Sequence, residues 1–277
     1  MNSVASDEQS GHGWRAHLNL NFATRAGRTY LATRSHSGPL VVQRAFHPEG
    51  DTCHAYIVHP PGGIVGGDEL HLGVSASSGS QVLLTTPAAT KFYRSEQRRS
   101  TQVQRITSTD AQMEWLPQET IFFPGSYARA ETRVMLNGNS RFIGWEIPCF
   151  GLPARTQPFN SGELQLDFEL WRDTTPLFVD RMRLSGTSSA RTARWGLAGY
   201  EAIGTLLAYP ATKEHVTLIR DGTSKIESAV TLVDGVLVCR ALAAQAGPIK
   251  EWFVQVWQQL RPRLLGRPAV LPRIWST

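Results

Sequence analysis

At 277 residues the chain has room for one large β-rich domain or two small ones. Its net charge of +5 and pI near 9.4 raise nucleic acid or an acidic protein as partners, but the positive charge is spread along the chain and not gathered into one arm. Three cysteines, Cys53, Cys149 and Cys239, odd in number and far apart, exclude a disulfide framework and point to a reducing, cytoplasmic compartment. No linker, fixed-period repeat or apolar run of about 20 residues is present, so one β-rich domain over residues 14–277 and no membrane helix are expected.

Met1 to Gly13 carries Asp7 and Glu8 and lacks an apolar core. It is neither a secretory signal nor a transit peptide, and a disordered tail is expected. From Trp14 to Ile219 apolar residues recur with period two in short runs closed by Gly, Pro, Asn or Ser, the signature of half-buried strands. Ala16, Leu18, Leu20 and Phe22 share one parity, and His17, Asn19 and Asn21 the other. Leu40 to Arg44, Cys53 to Val58, Gln81 to Thr85, Thr101 to Ile106, Met113 to Leu116, Thr132 to Leu136, Arg141 to Ile147 and Leu164 to Leu170 read the same way. Asn137-Gly138-Asn139 predicts a hairpin between two of these runs, because asparagine and glycine accept the positive φ of tight reversals. Gly196 to Ala211, the longest weakly polar stretch, is broken by Glu201, three glycines and Pro210. Ile249, Trp252, Phe253, Val256, Trp257 and Leu260 form one helical stripe, with Gly247 as N-cap, Pro248 in first position and Pro262 as the stop. Such a stripe either packs on the sheet or anchors a partner through its aromatic residues.

The run His59 to Leu70 puts four glycines and two prolines into twelve residues. Glycine loses more backbone entropy on folding than other residues, so Gly62, Gly63, Gly66 and Gly67 mark positive φ or close approach to the main chain. A phosphate cradle is excluded, because the second pair is followed by Asp68 and Glu69 rather than Lys-Ser/Thr. Two carboxylates at such a mouth suit a cation or a basic partner. The densest set of ligand types, Cys53, His54, His59, Asp68, Glu69 and His71, is weakened by strand geometry: Cys53 and His59 share a face but lie about 20 Å apart, and His54 points the other way. Lys91-Phe92-Tyr93-Arg94 with Arg98 and Arg99 interleaves bases and aromatics, which leaves a basic β-domain binding single-stranded nucleic acid as the alternative reading. Glu114, Glu119, Glu131 and Glu146 sit in or between strands beside Trp115, Phe122 and Trp145. A carboxylate in that company needs a partner or water, hence a charged contact or a polar channel. No Gly-x-Ser-x-Gly, His-Glu-x-x-His or Cys-x-x-Cys pattern offers a nucleophile or metal site for catalysis.

Four segments together resemble one family. Gly38-Pro39-Leu40-Val41-Val42-Gln43-Arg44 leading to His47-Pro48-Glu49-Gly50, the run His59 to Asp68, Thr85-Thr86-Pro87-Ala88-Ala89-Thr90-Lys91-Phe92-Tyr93-Arg94-Ser95, and Glu114-Trp115-Leu116-Pro117-Gln118-Glu119 are similar, in order, to the UreD family of urease accessory proteins. The likeness spans Trp14 to Gly151, continues more weakly through Gly196-Leu197-Ala198-Gly199 and Gly204-Thr205-Leu206, and fades over the last sixty residues. Ala89 stands where the family usually has glycine, and His47 where it often has tyrosine. The resemblance implies a mainly β fold of stacked, helically wound sheets with few helices, and a chaperone without catalysis of its own. It also implies complexes with an F-type accessory protein, a GTP-hydrolysing G-type accessory protein and apo-urease, and an internal passage for nickel, with no cofactor held permanently and neither nucleic acid nor membrane as partner. Within that picture Asp68, Glu119 and Glu146 are the expected transient nickel ligands, since oxygen holds a divalent ion more loosely than a histidine and cysteine cage. Lys91, Tyr93 and Arg94 are expected partner contacts.

Overall fold

The computed structural model describes residues 13–222 and 224–276, so the expected tail, apart from Gly13, lies outside the described residues. The chain winds in coils. β1 (Arg15–Arg25) pairs antiparallel with β2 (Arg28–Ser37), and the short β3 (Val41–Val42) leads to β4 (Cys53–Val58). Three full coils follow: β5 (Glu69–Ala76), β6 (Gln81–Thr85) and β7 (Thr90–Phe92); β8 (Ser100–Thr109), β9 (Gln112–Trp115) and β10 (Thr120–Phe122); β11 (Ser126–Asn137), β12 (Arg141–Glu146) and β13 (Pro148–Leu152). Equivalent strands of successive coils pair in parallel and in register, making three walls around one interior. β14 (Gln157–Pro158) pairs with β13, β15 (Gly162–Arg172) adds in parallel to β11, and β16 (Thr175–Ser185) closes that sheet antiparallel to β15. β17 (Ala202–Tyr209) joins the second and third walls by pairing antiparallel with both β12 and β13. After α1 (Lys213–Arg220), β18 (Glu227–Val233) and β19 (Val236–Ala243) extend from β17.

Period-two patterning decides which face of each strand enters the interior. Leu20, Val74, Ile106, Val134 and Leu170 stack coil upon coil in the first wall, while Phe92, Phe122 and Phe150 stack in the third with ring centroids 5.0 and 6.3 Å apart. The outer face of the first wall is open to solvent, so its strands alternate, as the burial of β5 shows. The second wall is buried on both sides: Val82, Leu84, Met113, Trp115 and Phe142 face inward, and Leu83, Leu116, Ile143 and Trp145 face outward beneath α2 (Ala246–Leu265).

Three expectations change. Asn137-Gly138-Asn139 does not close a hairpin, although Gly138 has φ +61°. β11 and β12 belong to different sheets, and the reversal bonds to the coil beneath it, with Asn137 O accepting from Asp110 N and Asn139 N donating to Asp110 Oδ1. Leu40 to Arg44 contributes only Val41–Val42 as strand. The helix is capped by Gln245 rather than Gly247 and runs through Pro262 to Gly266, whose φ of +72° ends it. Burial of Leu264 and Leu265 and the fixed Arg261 hold the last turn against the hydrogen bond Pro262 removes. The stripe from Ile249 to Leu260 is buried on the sheet, and Gly204 admits it, since a Cβ there would lie 2.4 Å from Ile249 Cγ2. Among the described residues no helix is long and apolar enough to cross a membrane.

An ionic cluster pins α2 to the second wall. Fully buried Glu114 accepts from Trp257 Nε1 at 2.7 Å, from Arg261 Nε at 2.9 Å and Nη2 at 3.0 Å, and from Arg267 Nη2 at 3.2 Å. Arg261, itself fully buried, also clasps Glu49 at 2.5 and 2.8 Å, and His54 Nε2 lies 2.5 Å from Glu49 Oε1. Burial alone raises the Glu49 pKa, but the bonds from His54 and Arg261 and their charge outweigh it and bring it from 4.5 down to about 2. Removing one member of a buried pair strands the rest, so Arg261→Met is expected to cost roughly 3–5 kcal/mol in urea unfolding at neutral pH. A carboxyl whose pKa is depressed on folding stabilises above its unfolded pKa and loses that share as pH falls through the folded value. The wild type should therefore weaken between pH 4.5 and about 2 through Glu49, and Arg261→Met should keep only the part of that share that His54 supplies.

Candidate functional site

Inside the coils one layer breaks the apolar rule. The in-register position occupied by Leu18 and Leu72 becomes Gln104 and Thr132 before returning to Phe168, and its neighbour runs Ala16, Leu70, Gln102, Ala130, Leu166. The other walls meet this layer with Thr120, Trp115 and Glu146. Leu70, Leu72, Gln102, Gln104, Trp115, Thr120 and Glu146 line a cavity of about 230 Å³ that His59, Gly62, Gly63, Ala88 and Lys91 also border. A second cavity of about 50 Å³ shares Gln102, Gln104, Thr120 and Glu146 with the first and ends at Asp180, Met182, Ile203 and Thr205. Glu146 is thus a wall of both.

Glu146 has the inward parity of Phe142 on β12, whereas Trp145 between them faces α2. Its Oε1 accepts from Thr132 Oγ1 at 2.7 Å and Trp115 Nε1 at 3.1 Å. Oε2 takes no hydrogen bond among the described residues, and the surface that half-buried Glu146 leaves open is cavity surface. Burial raises its pKa above the ordinary carboxylate range, and the two hydrogen bonds only partly oppose this. The result is a carboxyl with one oxygen held and the other free to take a proton or a cation.

The other two carboxylates singled out in the sequence are placed elsewhere. Asp68 is buried, with Oδ1 accepting from Trp14 N at 2.8 Å and Oδ2 from Val65 N at 2.9 Å. It locks the glycine-rich loop to the start of β1 rather than facing a cation. Glu119 lies between cavity residues Gln118 and Thr120 but is absent from the wall, and its charge acts on Lys250 of α2 and on Cys149. Among the described residues no three His, Cys, Asp or Glu side chains gather as a metal-holding group. The six-residue set from Cys53 to His71 is dispersed: Cys53 is in the inner core with its thiol pushed up to about 12 by burial, His54 belongs to the ionic cluster, and His59 borders the first cavity, its pKa lowered by burial.

Each glycine pair combines two demands. Gly62 and Gly67 have φ of +78° and +96°, while a Cβ on Gly63 would fall 2.1 Å from Tyr93 Cε2 and one on Gly66 2.5 Å from Ser95 Cβ. Tyr93 therefore covers Gly63 and meets Phe123 edge-on at 4.8 Å. That ring is occupied by the fold and is not a free stacking platform, which weakens the nucleic-acid reading; Arg94 beside it is exposed. Gln102, Gln104, Thr120 and Thr132 were missed from sequence. Their signal was available in the run Thr101 to Ile106, where two glutamines share the inward parity of Ile106.

A family model described as UreD urease accessory protein matches residues 14–276, through the last sixty residues where the quoted motifs give out. A urease accessory protein UreD of Azoarcus sp. (strain BH72) is 44% identical over 100% of this chain and 100% of its own length. The proteins of that name from Citrobacter koseri and Klebsiella aerogenes are 41% and 42% identical over 96% of this chain, covering 92% and 97% of their own lengths.

The roles of Asp68 and the glycines are open to a stability measurement. Asp68→Ala removes the charged acceptor shared by Trp14 N and Val65 N and is expected to cost roughly 1–3 kcal/mol in chemical denaturation, as are Gly63→Val and Gly66→Val through overlap. Glu119→Ala should stay within about 0.5 kcal/mol of wild type.

Proposed function

This chain belongs to the UreD family of urease accessory proteins, and from that premise we propose that it is a urease-maturation chaperone whose interior conducts nickel toward apo-urease without catalysis of its own. The observation that carries the reading is the half-held Glu146 in the polar layer common to both internal cavities. Nickel accepts imidazole and thiolate strongly, and a cage of those ligands would retain it. A single free carboxylate oxygen among amide and hydroxyl groups binds a divalent ion weakly enough to release it. The raised pKa fits the same role, because burial disfavours the unpaired carboxylate and a cation arriving at Oε2 would compensate its charge.

In this reading the chain is a scaffold between an F-type accessory protein, a GTP-hydrolysing G-type accessory protein and apo-urease, and nickel is transient cargo. A docking role is supported by Trp195, which is 78% exposed in a loop held by hydrogen bonds from Leu197 N to Ala190 O and from Gly199 N to Arg191 O. It borders a groove that shares Met182 and Ile203 with the second cavity, so a partner seated there would cover that mouth. Lys91, which borders the first cavity, and exposed Arg94 are the corresponding contacts there.

Glu146→Gln keeps the size of the side chain and both acceptor contacts but removes the negative charge. Co-expressed with urease and the other accessory proteins, it is expected to lower nickel per urease active site while a pull-down recovers the accessory complex at wild-type yield. Full nickel loading would rule Glu146 out as a ligand on the route, and loss of the complex would assign it to assembly. Glu119→Ala, whose side chain is outside the wall, should load urease normally.

A further inference from the structure

The open face of the first wall carries a feature that the interior does not use. His17 on β1 and His71 on β5 are in-register partners, and their rings stack with centroids 4.8 Å apart and 12° between planes. His17 is exposed and His71 half-buried, and neither ring makes a hydrogen bond to the described residues. Two imidazoles on adjacent strands, one strand spacing apart and facing the same way, form a two-point chelate once the rings turn about χ2.

The surroundings add oxygen donors. Glu69 lies two residues before His71 on the same face, and among the described residues its half-buried carboxylate is paired with exposed Arg15 at 3.6 Å. On the other side Gly73 leaves space that the Asn19 amide fills, since a Cβ on Gly73 would lie 2.3 Å from Asn19 Oδ1. Arg105 on β8 pairs with Glu131 at 2.5 Å, which offsets part of the positive charge it brings to His71. Two imidazoles with a carboxylate and an amide oxygen nearby suit a borderline divalent ion such as nickel, copper or zinc better than magnesium or calcium.

We propose that His17 and His71 form a two-point surface site for a borderline divalent cation. The site is separate from the internal cavities: Leu70 and Leu72 line the first cavity from the inner face of β5, whereas His71 between them projects outward. It therefore stands independently of the conduction reading.

The test is equilibrium dialysis of the full-length chain, free of any polyhistidine tag, against nickel alone, for wild type and for the His17→Asn, His71→Asn and Glu146→Gln variants. Each histidine variant is expected to bind one nickel fewer per chain than wild type, a variant carrying both His17→Asn and His71→Asn to lose no more than either single one, and Glu146→Gln to keep this ion. Both histidines are on the surface, so unfolding curves of the variants should match wild type and separate loss of the site from loss of the fold. Wild-type nickel stoichiometry in either histidine variant would overturn the proposal. X-ray absorption of the bound nickel showing no imidazole in the wild type would overturn it as well.

Discussion

In-register parallel stacking is the constraint on which the rest of this molecule depends. Each inward position lies on the same position one coil away, so a polar residue entering the stack cannot reach bulk water by bending aside. It must find partners within its own layer. Gln104 and Thr132 stack between Leu72 and Phe168, and the layer they begin is completed across the interior by Trp115, Thr120 and Glu146. A sheet open to solvent on both faces would have let these groups hydrate separately. The closed coil forces them together and leaves space among them large enough for several waters.

The same geometry gives neighbouring carboxylates opposite roles. Glu114 and Trp115 are adjacent on β9, as Trp145 and Glu146 are on β12, and alternation sends one of each pair outward and the other inward. Outward-facing Glu114 meets α2, where Trp257, Arg261 and Arg267 saturate it. The charge is fully compensated and the carboxylate is mortar. Among the described residues inward-facing Glu146 takes hydrogen bonds from Trp115 and Thr132, both on one oxygen, and it keeps a raised pKa and a second oxygen without a hydrogen bond. Capacity for chemistry follows from the incompleteness of the second arrangement.

Much of this was legible in the sequence because strand parity is local. The separation of Cys53 from His54, the buried helix stripe and the dual purpose of the glycine pairs all follow from period and residue type. What a side chain meets across the interior depends on which coil lies above it, and no local pattern carries that. Asp68, Glu119 and Glu146 are equally plausible as cation ligands in sequence, yet one is bonded to backbone N–H groups, one acts on Lys250 and one lines the cavities. Asn137-Gly138-Asn139 makes the reversal its residues encode, but the stacking preference of β11 and β12 sends the flanking strands to different sheets. β17, α1, β18 and β19 went unread because their short apolar runs and weak periodicity do not discriminate strand from helix.

The central claim is that nickel travels through the polar layer at Glu146 rather than around the protein. Anomalous diffraction at the nickel edge, from crystals of the accessory complex exposed to nickel, tests it most directly. The account predicts a peak inside the coils within bonding distance of Glu146 Oε2, absent from the Glu146→Gln complex. Nickel peaks confined to the outer surface, with the interior empty in both, would contradict it.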